Sequence, residues 1–318
     1  MKAQSKFITI ISVAANLILG SILTYNLLNS GDSISPSVQY PLLDFSRNYI
    51  DQKYFIVNFV PLRKELDAYL KQQTNFKISL YFEYLHTGSF IWLNQDLRLP
   101  PASLTKLPVA MTMLKEVELG TRQLSEFYTL SDNDKDSSWG ELYRSPTGTK
   151  LTWESLLQSS LRHSDNTAHQ ILYKTIQPDS AKDFGVSIGV ESLFDSQGNT
   201  SVREMARIFR SLYTASYLNR TNSHWVLKQL QESQYTQLLR HQLSVPASTK
   251  FGIDIHTQTY NEAGIIYLPN SPFLISILMQ SKENSSTENQ LLISQKIMTE
   301  IRDTIIKYIN SQLANTSE

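Results

Sequence analysis

Ser103 and Lys106 lie three residues apart in Pro101-Ala102-Ser103-Leu104-Thr105-Lys106-Leu107-Pro108-Val109-Ala110, where an extended segment gives way to a helical pattern. On the first turn of a helix that spacing sets both side chains on one face. A serine hydroxyl is a poor nucleophile until a base takes its proton. A lysine can be that base once burial or nearby positive charge lowers its pKa. Backbone N–H groups at a helix start point outward and can stabilise a developing oxyanion. The pair therefore suits acyl transfer. Taken alone, the same pattern also describes a helix cap followed by a solvated lysine. The apolar run after it (Leu107, Val109, Ala110, Met111, Met113, Leu114) argues for a buried helix, and a buried lysine needs a reason.

A second cluster follows at Ser164-Asp165-Asn166, on a turn between two helical stretches. Ser, Asp and Asn are ordinary helix caps, so this too is a weak signal alone. Chemically, a second serine near Ser103 and Lys106 could pass a proton to a leaving amine, and Asn166 could hold both a substrate amide and the lysine. In this order, the two motifs reinforce each other.

The elements that must position them read as follows. Pro61 to Leu70 has proline near its start and apolar residues at helical spacing. Phe76–Tyr84 and Phe90–Leu93, joined by His86-Thr87-Gly88-Ser89, form a β-hairpin. The Ser103 helix closes near Gly120. Residues 131–148 are polar and turn-rich, a surface excursion. Thr152 caps a helix through Leu161, and a second helix runs through Ile171 to Tyr173. Further helices are expected over Val202–Tyr217 and Trp225–Leu239. Strands return at Ile255–Thr259, Ala263–Tyr267 and Phe273–Met279, before an amphipathic helix over Leu291–Leu313. Strands at both ends and helices between them imply an α+β fold with one antiparallel sheet built from both ends of the chain.

Over 318 residues, acidic and basic residues balance at 29 each, so no nucleic-acid partner is expected. There are no cysteines, which excludes disulfides, thiol nucleophiles and thiolate metal sites. Lys2 and Lys6 precede Phe7–Leu28, a run without charge and long enough to span a bilayer. Basic residues before it and none directly after place the N-terminus inside and the rest outside. No small-residue cleavage site ends the run, so an uncleaved anchor is favoured over a secretory signal. The expected organisation is an anchor over 1–29, a stalk over 30–58 and a folded domain over 59–318.

Ser103-x-x-Lys106 followed by Ser164-Asp165-Asn166 resembles the penicillin-recognising serine hydrolases, in particular class A β-lactamases and related penicillin-binding proteins. The resemblance runs from about Phe76 to the C-terminus. It includes Thr200-Ser201-Val202-Arg203-Glu204-Met205-Ala206 and the segment Tyr260 to Pro269. It implies a β-lactamase/transpeptidase-like fold, with an antiparallel sheet flanked by helices and an all-helical subdomain. It also implies a nucleophile at Ser103, a base at Lys106, a proton donor at Ser164 and a substrate contact at Asn166. The implied substrate is a β-lactam or a D-alanyl stem peptide of peptidoglycan, hydrolysed by a β-lactamase-like or D-Ala-D-Ala carboxypeptidase-like enzyme. No metal or organic cofactor is implied, and a monomer is expected.

Two departures stand out. The family's third motif is Lys-Thr-Gly on an edge strand, whose lysine and hydroxyl bind the substrate carboxylate. The matching place is taken here to be His256-Thr257-Gln258, with the N–H of Thr259 as second oxyanion donor. On that reading carboxylate binding is weakened, and a degenerate member that binds wall peptide or a partner protein without turnover becomes the rival. The long loop that carries the deacylating glutamate of class A β-lactamases is also missing. Glu191 is the glutamate nearest that place. An acyl-enzyme would then persist or be released slowly.

Overall fold

Strands β1 (Phe76–Tyr84) and β2 (Ser89–Leu93) form the expected hairpin, turned at Gly88. β1 then pairs on its other side with the last strand, β7 (Phe273–Ser281), with Phe76 opposite Ser281 and Tyr84 opposite Phe273. β7 pairs with β6 (Thr259–Ile266), and β6 with β5 (Ala247–Asp254). The order β2-β1-β7-β6-β5 is antiparallel throughout and leaves β5 on an edge. The sheet is thus assembled from both ends of the domain, as the sequence implied. The computed structural model describes residues 40–43, 57–283 and 286–315. The apolar run Phe7–Leu28 and most of the stalk lie outside the described residues. Among the described residues no helix is long and apolar enough to cross a membrane.

Two helices from opposite ends of the domain cover one face of the sheet. α1 (Val60–Gln72) has Pro61 in its first turn, where the missing N–H is harmless, and buries Leu62, Leu66 and Leu70. The C-terminal helix is the last element, running over Thr287–Asn315. Its Ile301, Ile305 and Ile309 join Leu62, Phe82, Ile275 and Ile277 in one core cluster. The helices between the hairpin and β5 build the rest. α2 (Lys106–Glu118) is buried from Lys106 through Leu114 without a break. A helix buried all round belongs inside a protein, and α2 is enclosed by α3 (Trp153–Arg162), α4 (Asn166–Thr175) and α5 (Pro178–Ser187). α6 (Val202–Tyr213) begins with a reciprocal cap between Ser201 and Glu204 and packs on β6 and β7. α7 (Arg220–Gln231) is capped by Asn219. It begins and ends earlier than its apolar pattern suggests. Leu238 and Leu239 are buried beyond its end, where Glu262 accepts a hydrogen bond from the Leu239 N–H at 2.8 Å.

The late strands correct the sequence reading. Ile255 to Gln258 form the hairpin turn between β5 and β6, and the strand itself lies earlier, at Ala247–Asp254. That segment shows no polar alternation because it is buried on both faces, with Lys250 as buried as the apolar core. Gly252 is required there by close approach. A Cβ at this position would stand 2.6 Å from the Pro101 carbonyl oxygen and 3.1 Å from the Ser103 nitrogen. Gly252→Ala is therefore expected to cost about 1–3 kcal/mol by overpacking, measured as a lower urea midpoint with an unchanged slope. A midpoint equal to wild type would show that β5 does not press on the Ser103 turn.

Candidate active site

Ser103 does not sit on an α-helix. It lies in a 3-10 turn, Ala102–Thr105, which runs directly into α2 at Lys106. In a 3-10 turn residues three apart eclipse each other, which aims the Lys106 side chain along the turn. The Lys106 Nζ stands 2.8 Å from the Ser103 Oγ. The turn is held from both sides. Asn261 of β6 donates to the Pro100 carbonyl at 2.8 Å, and Gly252 of β5 lies against the Ser103 backbone. Ala102 takes a left-handed φ of +49°, an uncommon conformation for a residue with a Cβ.

Ser164, Asp165 and Asn166 reach the same point from the junction of α3 and α4. Asp165 caps α4, accepting from the Ala168 N–H at 2.9 Å with one carboxylate oxygen. Its other oxygen accepts from the Glu141 and Leu142 N–H groups, both at 2.8 Å. Gly140, at φ +101°, fits beneath it where a Cβ would collide. Residues 131–148 are thus no loose excursion. Asn166 also donates from its backbone to the Trp139 carbonyl at 2.9 Å and from its side chain to Ser138 at 2.6 Å. Ser164, at φ +56°, presents both its carbonyl and its hydroxyl to Lys106, at 2.6 and 3.1 Å. The Asn166 Oδ1 accepts from the same Nζ at 2.6 Å.

The structure adds a group absent from the sequence reading. Lys250 of β5 is fully buried and donates to the Ser164 Oγ at 2.8 Å, with the Phe251 carbonyl at 3.3 Å. Lys250-Phe251-Gly252 is the lysine-x-glycine of the edge strand, with phenylalanine in place of the hydroxyl residue. His256, Thr257 and Gln258 lie in the hairpin turn beyond that strand. There the Asp254 side chain accepts from the His256 N–H at 2.9 Å, and Thr257 and Thr259 share a hydrogen bond at 2.9 Å. They are not the residues beside Ser103. Thr259 opens β6, with Asp254 as its partner across the hairpin. The Tyr267 N–H bonds the Pro246 carbonyl, which sets the alternation of the ladder. By that alternation Phe251 and Ile253 direct their backbone groups away from β6. Ile253, one residue past Gly252, therefore turns its N–H outward from the free edge of the sheet. A lysine followed by x-Gly just before a hairpin was the available signal. The unfamiliar phenylalanine and the lack of alternation hid it.

Burial pushes Lys106 down from its ordinary value to about 8, against the pull of the Asp165 and Asp136 carboxylates. Burial, with the charge of Lys106 added, pushes Lys250 well below its ordinary range. His169, one turn along α4, is held down to about 3 by burial and by both lysines. Lys106 has four oxygens within hydrogen-bond reach, and an ammonium carries only three N–H groups. In the neutral amine, two N–H groups serve the Ser164 carbonyl and Asn166, and the lone pair faces the Ser103 hydroxyl. The Ser164 hydroxyl bridges the two lysines and can accept from one while donating to the other. Glu191 stands apart from this network. It is exposed at the mouth of an apolar cavity lined by Val109, Tyr173, Phe184 and Leu193. Among the described residues no group of three or more His, Cys, Asp or Glu side chains is placed to hold a metal ion.

This geometry has known counterparts. Residues 61–308 match the model of the beta-lactamase enzyme family. The extended-spectrum beta-lactamase PER-1 of Pseudomonas aeruginosa is 25% identical over 248 residues, covering 67% of this chain and 80% of that protein. Beta-lactamase VEB-1, also of Pseudomonas aeruginosa, is 24% identical over 229 residues, covering 64% of this chain and 77% of its own. Among solved structures, PBP-A superposes with a TM-score of 0.71 at 18% identity, over 79% of this chain and 97% of that one. A beta-lactamase from Sphaerobacter thermophilus gives 0.69 at 18%, over 80% and 98%. With well over half of its length matched to that model, the chain belongs to the beta-lactamase enzyme family.

Proposed function

We propose that the protein is a serine hydrolase of the β-lactamase and penicillin-binding kind, acylated at Ser103 by a β-lactam or a D-alanyl peptide. The observation that carries this reading is the 2.8 Å contact between the Ser103 hydroxyl and a buried lysine lowered to about 8. Lys106 takes the Ser103 proton as the Oγ–carbonyl bond forms. The Ser103 and Ile253 N–H groups face the developing oxyanion. When the C–N bond breaks, the proton passes from Lys106 through the Ser164 hydroxyl to the leaving nitrogen, and Lys250 steadies Ser164 as it does so. Asn166 holds Lys106 and presents its amide toward the substrate.

The rival reading, a degenerate member that binds without turnover, drew on His256 and Gln258. Both lie in the hairpin turn, and a lysine does reach Ser164. The rival now draws instead on Phe251, which stands where the family has a hydroxyl residue. Release of the acyl group is a separate matter. Glu191 lies exposed and outside the polar cluster, which supports an acyl-enzyme that persists. The charge-free run Phe7–Leu28 supports a membrane tether with the domain on the outer side.

The wild-type chain is expected to gain one penicilloyl adduct by intact mass, and Ser103→Ala none. The acylation rate rises with pH through about 8, as Lys106 loses its proton. In Lys106→Ala it falls by about 10²–10⁴, the usual worth of a positioned base, and that pH step disappears. A rate independent of pH between 6 and 9 in wild type would remove Lys106 as the base. Incubated with excess penicillin and then diluted, the adduct is expected to outlast a one-hour chase; its complete loss within seconds would mean that a deacylating base is present. The full chain should stay with membranes through a carbonate wash, and its recovery in the supernatant would count against the tether.

A further inference from the structure

Two residues of the 131–148 segment reach the base through a third. The Asp136 backbone is pinned to the first turn of α4. Its N–H donates to the Thr167 hydroxyl at 2.9 Å, and its carbonyl accepts from the same hydroxyl at 3.2 Å. The Asp136 carboxylate then holds Ser138, accepting from its N–H at 2.8 Å and, more closely, from its hydroxyl. The Ser138 Oγ in turn accepts from the Asn166 Nδ2 at 2.6 Å. Asn166 ends the chain, accepting from the Lys106 Nζ through its Oδ1, also at 2.6 Å.

The direction of every donor in this chain is set from its far end. An ionised carboxylate only accepts. Asp136 is kept in that form. Burial pushes its carboxyl up, but the Ser138 hydrogen bonds, the Lys106 charge and the Asn166 amide outweigh burial and bring it below the usual value. The Ser138 hydroxyl therefore donates to Asp136, which leaves its oxygen to accept. Asn166 must then turn its amide nitrogen toward Ser138 and its oxygen toward Lys106. Reversed, the amide would set its own N–H groups against those of Lys106.

The charged and titratable groups around Lys106 come from four elements. Asp165, before α4, and Asp136, on the 131–148 segment, both favour its ammonium form. Lys250 on β5 and His169 on α4 both feel the Lys106 charge, and burial drives each toward its neutral form. Asp165 spends its carboxylate on the Ala168, Glu141 and Leu142 N–H groups. Asp136 is joined to Lys106 through side chains.

We infer that Asp136 and Ser138 are positioning residues for the base: through Asn166 they fix which atom Lys106 meets, and the Asp136 charge helps Lys106 hold the proton it takes from Ser103 until Ser164 receives it. This rests on the acyl chemistry proposed at Ser103 and adds the groups that regulate its base.

Titration of Lys106 in the full-length chain reads the charge directly, by NMR of isotope-labelled lysine side chains, with Lys106→Met to assign the signal. Removing a carboxylate disfavours the ammonium. The Lys106 midpoint, about 8 in wild type, is therefore expected to fall by at least about half a pH unit in Asp136→Asn, which keeps an acceptor for Ser138. Unfolding would expose Lys106 and move its midpoint up toward the ordinary lysine value, so a downward move cannot come from a damaged fold. Ser138→Ala keeps the carboxylate and breaks the chain. Its rate of acylation by penicillin is expected to fall about 2–10-fold at every pH, the net worth of one hydrogen bond, with the pH midpoint in place. Ser138→Thr should restore the rate. A Lys106 midpoint that stays or rises in a folded Asp136→Asn chain, or a Ser138→Ala chain that acylates at the wild-type rate, would each overturn the inference. A wild-type chain that forms no adduct speaks against the nucleophile. The Lys106 titration needs no covalent step and still decides whether Asp136 acts on the base.

Discussion

A buried amine with more acceptors than protons governs this molecule. Lys106 is almost wholly withdrawn from water, and the oxygens of Ser103, Ser164 and Asn166 crowd its Nζ. Withdrawing an ammonium from solvent costs several kcal/mol after relaxation, and close acceptors return part of that. The remainder appears as a depressed pKa, which is the property a base for serine needs. Everything nearby keeps those acceptors in place. Asp165 ties two loop N–H groups and the α4 cap to one carboxylate, Gly252 lets β5 press on the Ser103 turn, and Asn261 holds the carbonyl before it.

Two non-glycine residues in left-handed conformations, Ala102 and Ser164, flank this cluster. Each costs on the order of 1–3 kcal/mol and persists only where its surroundings over-determine it. Both lie one step from the reacting atoms. Ala102 turns Ser103 toward Lys106, and Ser164 turns its own carbonyl and hydroxyl inward. The strain is offset by the apolar core under the sheet and by the buried length of α2.

Much of this was legible in the sequence. The Ser103–Lys106 and Ser164–Asn166 motifs, the N-terminal hairpin, the buried helix and the sheet drawn from both chain ends follow from spacing and periodicity. What failed has one cause. β5 is covered on both faces and packed against backbone, so its sequence Ala247-Ser-Thr-Lys-Phe-Gly-Ile-Asp carries small and polar residues with no period of two. Alternation reports a strand with one wet face, and the next alternating stretch in the sequence is the turn, 255–258. The missed Lys250 and the misplaced Thr259 are the same error. The role of 131–148 was illegible for another reason: its order comes from distant partners, Asp165, Asn166 and Thr167 among them, and no local pattern announces them.

The pairing of β1 with β7 sets a timetable for the newborn chain. Ser103 and Lys106 are neighbours from the moment they are made. Ser164 joins them by local helix packing, but Lys250 arrives only with β5, which depends on β6 and β7 for its place in the sheet. Contacts between distant parts of a chain form late and slowly because loop closure must precede them. During synthesis the domain therefore holds the Ser103–Lys106 pair before Lys250 reaches Ser164 and before β5 lies against the Ser103 turn. The hydrogen-bond network that joins Lys106, Ser164 and Lys250 is therefore complete only once the whole sheet has formed.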